Sequence, residues 1–93
     1  MHRLLFPKSY EEKARKFLKK HPELVSQYRK TLQLLELNPF HPSLRFHRFK
    51  TSSFEGYSVS INLSYRISIE FIIKEKTIIL VNIGDHQDIY GKK

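Results

Sequence analysis

The sequence predicts an α+β fold, with an N-terminal strand and a helical hairpin packed on one face of a twisted, mainly antiparallel four- to five-stranded sheet. Three observations carry this. From Tyr57 to Phe71 every odd position is apolar or aromatic and every even one polar, the period of a half-buried strand. Between Tyr10 and Leu35 the apolar residues recur at helical spacing, in two segments parted by His21-Pro22. Thr77 to Ile83 is almost continuously apolar, as in a central strand covered on both faces. A chain of 93 residues, 40% hydrophobic and 13% aromatic, supports one modest core, so residues 1–93 are expected to form a single domain.

Taken in order, Arg3 to Phe6 is a short apolar run that Pro7 closes, a first strand. Ser9 and Glu12 have capping-box spacing, and Tyr10, Ala14, Phe17 and Leu18 share a helical stripe. The other faces carry Lys13, Arg15, Lys16, Lys19 and Lys20, a crowd that is either solvated or touches a phosphate backbone. Pro22 and Glu23 restart a helix whose stripe is Val25, Tyr28, Leu32 and Leu35, and Asn38-Pro39 stops it. So short a connection makes the helices antiparallel, and both apolar sides lie on the odd face of the central strands. Two prolines stiffen the following loop. From Leu44 the pattern alternates, with Leu44 and Phe46 inward and Arg45 and His47 outward, until Phe49 breaks phase and asks for a bulge near Arg48.

The 57–71 stretch is too long for one strand, and Asn62-Leu63-Ser64 is its turn. Parity survives the turn, so the loop must hold an odd number of residues. A three-residue loop sets Ile61 opposite Tyr65 and Arg66 opposite Ser60, with Ser58, Ser64 and Ser68 around the arginine. That face is either open to a large anion or merely wet. Lys74 to Lys76 turns the chain into the last strand, which ends at Gly84. In the tail, His86 and Tyr90 are four apart and share a face whether helical or extended. Histidine suits proton transfer near neutral pH, and tyrosine can donate a hydrogen bond or stack on a base. Otherwise Ile89 and Tyr90 simply pack the tail down.

Lys and Arg outnumber Asp and Glu by 17 to 9, a net charge of +8 that fits a nucleic-acid binder or an acidic partner. The absence of cysteine excludes a disulfide scaffold and suits the cytoplasm. No apolar run approaches the ~20 residues of a membrane span, so the chain reads as soluble, untargeted and without a membrane partner. The acids are scattered and the five histidines lack ligand spacing, so neither a metal nor another cofactor is expected. Asp85 and Asp88 are expected to be solvated or to raise the pKa of His86. No glycine-rich phosphate loop and no Ser or Cys nucleophile constellation is legible.

The element order, together with NPFHPSLRFHRFK, GYSVSINLSYRI and IILVNIGDHQDIY, resembles the RelE/ParE superfamily of type II toxins, and most of all its YafQ-type and RelE-type messenger-RNA endonucleases. The most specific pieces are Tyr65-Arg66-Ile67 and the spacing of Gly84, His86 and Tyr90. The resemblance implies a toxin that cuts mRNA in the ribosomal A site without a metal and is silenced by a cognate antitoxin. It implies contact with operator DNA only through the toxin–antitoxin complex. Arg66 would stabilise the phosphate charge, His86 serve as general acid or base, Tyr90 orient or stack, and His47 be a second proton-transfer group. Arg45, Arg48 and Lys50 would hold the RNA backbone. The pattern departs from YafQ-like members at Ile61 and Tyr65, where those carry histidine and aspartate, and at Ser60, where many carry arginine. The same fold also serves ParE-like inhibitors of DNA gyrase, and a noncatalytic corepressor would share it too.

Overall fold

The odd-position side chains of the 57–71 stretch form the floor of the core. Val59, Ile61, Ile67 and Ile69 are buried there, and the computed structural model, which describes residues 1–91, shows why. The elements run β1 (Arg3–Leu5), α1 (Lys8–Lys20), α2 (Val25–Leu37), β2 (His47–Lys50), β3 (Glu55–Ser60), β4 (Tyr65–Ile72), β5 (Thr77–Asp85) and α3 (His86–Tyr90). They build one sheet in the order β1-β5-β4-β3-β2, antiparallel except for the β1–β5 pair. The long apolar run of β5 is therefore central, as its composition requires.

The hairpin register is the one that parity demands. Ser60 pairs with Arg66, and the Ile61 N–H donates to the Tyr65 carbonyl at 2.9 Å, leaving residues 62–64 as the loop. Asn62 organises it, its Oδ1 accepting from the N–H groups of Ser64 and Tyr65, each at 2.9 Å. The helices cover the odd face, where Phe17 of α1 meets the Tyr65 ring edge-on at 5.1 Å. Tyr10, Ala14 and Phe17 of α1 and Tyr28, Thr31 and Leu35 of α2 are buried. The Tyr10 and Tyr28 hydroxyls tie the helices together at 2.8 Å, and the Thr31 hydroxyl donates to the Gln27 carbonyl at 2.9 Å.

Four expectations are corrected. α1 begins after Pro7, whose carbonyl accepts from the Glu11 N–H at 3.0 Å, so Ser9 and Glu12 lie inside the first turn and form no capping box. Residues 44–46 are not strand, because Leu44 ends a 3₁₀ turn (Pro42–Leu44) and Arg45 has the left-handed φ of 48°. β2 then pairs with β3 in unbroken register from His47–Ser58 to Lys50–Glu55, without a bulge at Arg48. Phe46 joins Phe40, Tyr57 and Phe71 on the helix side, whereas Phe49 shares the opposite face with His47. The real irregularity lies in β5 opposite Ser68 and Ile69, where Val81 is the extra residue. β5 also continues past Gly84 to Asp85.

The tail resolves as α3, packed against β5 and β4 on the face away from α1 and α2. Asp85 is its N-cap. Asp85 Oδ1 accepts from the Asp88 N–H at 2.9 Å, and Asp88 Oδ2 accepts from the Asp85 N–H at 3.0 Å, a reciprocal box. These bonds, that of the Asp88 N–H first, hold the Asp85 carboxyl below its ordinary range. Asp85 and Asp88 are thus engaged with each other. Among the described residues, no helix is long and apolar enough to cross a membrane.

Candidate functional site

The even face of β3 and β4 is neither open nor merely wet. Ser58 is 0% exposed and Arg66 5%, because α3 and the residues around His47 roof them. Alternation puts Ser58, Ser60, Arg66 and Ser68 on this face, and the register sets Arg66 between Ser60 on β3 and Gly84 on β5. Gly84 matters because α3 sits directly on it. A Cβ at that position would fall on the Asp88 carboxylate.

Four side chains close a ring of hydrogen bonds. Arg66 Nε donates to Ser58 Oγ at 3.0 Å, Ser58 Oγ lies 2.7 Å from the Tyr90 hydroxyl, that hydroxyl 3.1 Å from His47 Nε2, and His47 Nδ1 3.3 Å from Arg66 Nη2. Arg66 Nη2 also donates to the Arg45 carbonyl at 2.8 Å and the Ser58 carbonyl at 3.2 Å. Arginine only donates. When Nδ1 accepts from Arg66, the imidazole proton is on Nε2 and points at Tyr90, whose hydroxyl then donates to Ser58. When Nδ1 instead donates to the Arg45 carbonyl, 3.3 Å away, every proton in the His47–Tyr90–Ser58 chain reverses. The His47–Tyr90–Ser58 chain thus accommodates both neutral tautomers of His47, and the bond that closes the ring through Arg66 is made only in the first.

Burial pulls the Arg66 guanidinium below its ordinary value, with Tyr90 opposing the shift and Arg45 adding to it. Arginine remains charged regardless, so the consequence is a cation short of solvent, whose field is strong. Among the described residues, none of its hydrogen bonds uses Nη1, which leaves that group for an external oxygen.

Of the residues singled out from sequence, Arg66, Tyr90 and His47 are brought together. His86 is at the start of α3, exposed, with its ring 5.7 Å from that of Tyr90. The His47 ring stacks on Tyr90 at 5.9 Å, so Tyr90 has an imidazole near it on two sides. Phe49 closes on Tyr90 edge-on at 4.8 Å. The three basic candidates diverge. Arg45 contributes its carbonyl to Arg66, while its side chain lies by the 61–63 turn. Arg48 is paired with Glu55 at 2.6 Å on the face away from His47. Lys50 stands at the end of β2 near Tyr90. Among the described residues, no three His, Cys, Asp or Glu side chains converge as metal ligands.

Ser58 was visible in the sequence only as one of several hydroxyls, though the register already placed it diagonal to Arg66. The Arg45 carbonyl had no signal, since its role depends on a left-handed backbone that nothing in HPSLRF announces.

No protein-family model matches this sequence, and no curated protein does. Solved structures do match. YafQ from E. coli strain BL21(DE3) superposes with a TM-score of 0.76 at 12% identity, covering 98% of this chain and 100% of that one. A copper-bound mutant toxin and a metal-bound toxin, both from Helicobacter pylori, each give 0.69 at 20% and 17% identity, covering 97% of this chain and 100% of theirs. The likeness is one of architecture, shared from end to end. This chain has the RelE-like fold.

Proposed function

We propose that the protein is a toxin of a type II toxin–antitoxin system, an endoribonuclease that cleaves mRNA on the ribosome. The observation that carries the reading is the hydrogen-bonded ring of Arg66, Ser58, Tyr90 and His47, with His86 beside it. It combines a desolvated guanidinium with two imidazoles on one basic protein. The fold likeness to YafQ and to the Helicobacter toxins supports the same reading.

The chemistry follows from those groups. A ribose 2′-hydroxyl attacks the adjacent phosphorus, a P–O2′ bond forms, the P–O5′ bond breaks, and a 2′,3′-cyclic phosphate and a 5′-hydroxyl result. His47 Nε2 takes the 2′-hydroxyl proton once substrate displaces Tyr90 from it, and His86 protonates the departing 5′-oxygen. Arg66 Nη1 stabilises the charge that accumulates on the phosphoryl oxygens. Tyr90, between the two histidines, orients the strand. An acidic antitoxin segment would silence the basic face by covering it.

The test is induction in a bacterial host with mapping of mRNA 5′ ends on translating ribosomes. In-frame cuts by wild type should fall by about 10²–10⁴-fold in His47→Gln and in His86→Gln, the worth of one proton-transfer group. Growth arrest without cuts would overturn the reading in favour of a gyrase-type target. Undiminished cutting in either variant would remove that histidine from the chemistry.

A further inference from the structure

A groove of about 690 Å³ adjoins the ring and shares Tyr90 with it. Its walls come from segments far apart in sequence, namely Lys13 of α1, Lys50 with the 51–54 loop, and the end of α3. Its floor is Ser68 with Asn82 opposite, beside the bulged Val81.

Ser68 offers the groove a hydroxyl. Although the residue is 3% exposed overall, its hydroxyl makes no hydrogen bond among the described residues and is not sealed off, so it opens on the groove. The neighbouring serines are engaged, Ser58 with Arg66 and Tyr90, and Ser60 with the Asn62 carbonyl at 2.6 Å. Charge points to an anion. Lys13 and Lys50 face the groove without an ion pair among the described residues, and the lining's one acid, Asp88, already accepts from the Asp85 N–H. Phe54 and Tyr90 add aromatic surface.

We propose that this groove is a nucleotide subsite, holding the nucleotide next to the scissile phosphate of an RNA strand; the inference rests on the ribonuclease reading. The base lies against Phe54 and Tyr90, Ser68 bonds its edge, and the phosphate sits between Lys13 and Lys50. The volume is in the range of small-ligand sites, and unstacked RNA bases are recognised by aromatic contact with hydrogen bonds to their edges. The bulge is what makes room, because it bends β5 beneath the groove.

The experiment is a titration of ¹⁵N-labelled full-length protein with a fully 2′-O-methylated tetraribonucleotide, which cannot undergo attack by its own 2′-oxygen. Amides of residues 52–54 and 68 should shift along with those of His47 and Arg66. Lys13→Gln, a change at an exposed helix position, should lower the slope of log affinity against log salt by about 0.7, the value for one single-strand phosphate contact. Shifts at His47 and Arg66 without shifts at 52–54 or 68, or an unchanged salt slope in Lys13→Gln, would overturn the subsite and leave the ribonuclease reading standing. No shift at either place would overturn the subsite, while the mapping of 5′ ends on ribosomes decides the ribonuclease reading separately.

Discussion

The ring makes a sharp energetic claim, that Ser58 and Tyr90 do not contribute independently. Ser58→Ala removes a bond to the charged Arg66 and a bond to Tyr90, at 3.0 and 2.7 Å. Tyr90→Phe removes that same second bond and one to His47 at 3.1 Å. A charge-assisted bond is worth about 2 kcal/mol and each neutral one about 1 kcal/mol. Ser58→Ala should then cost about 3 kcal/mol and Tyr90→Phe about 2 kcal/mol, while the double variant costs about 4 kcal/mol because the shared bond is lost only once. The coupling of about 1 kcal/mol is read by urea denaturation, where a slope near ~1 kcal/mol/M for a chain this small puts the double variant's midpoint roughly 1 M above the additive expectation. The burial of both Ser58 and Arg66 makes compensation by water poor. Additivity within about 0.3 kcal/mol would refute the ring as a cooperative unit.

Gly84→Ala should break the Asp85–Asp88 box, since its Cβ takes the place of the Asp88 carboxylate. The expected loss is about 1 kcal/mol of cap energy together with release of Tyr90 from Ser58, and a crystal structure of the variant with that contact intact would count against the account. At alkaline pH the Tyr10–Tyr28 pair becomes a liability. Burial raises both phenols above the ordinary 10.0, Tyr28 raising Tyr10 further while the bond to Tyr10 lowers Tyr28 in part. Folded protein then keeps protons that the unfolded chain releases, so this contribution is present below the unfolded value and stability falls as pH rises past it. Urea midpoints should drop between about pH 9 and pH 11, and drop less in the Tyr10→Phe/Tyr28→Phe double variant. Equal drops in the two proteins would show that other groups drive the loss.

Much of this was legible without coordinates. Strand and helix periodicity are local, repeating every two residues or every 3.6, and residues 57–71 even dictated their own register, because a shift of one would have turned Val59, Ile61, Ile67 and Ile69 to the wrong face. Arg66 and Tyr90 could be singled out as well, since an arginine among serines and a tyrosine in a histidine-bearing tail are visible as patterns. What the tertiary structure decided was everything that depends on which surfaces meet. The serine-lined face looked open and is roofed, because α3 folds back over Gly84 and seats Tyr90 on Ser58. His47 was the weaker of two histidines in the sequence and stands inside the ring, because the strand starts at His47 and not at Leu44. The left-handed turn at Arg45, the bulge at Val81 and the meeting of Lys13 with Lys50 across a groove leave no periodic trace. Each arises from contacts between residues tens of positions apart, and their energies are settled only when the sheet and both helical layers have closed.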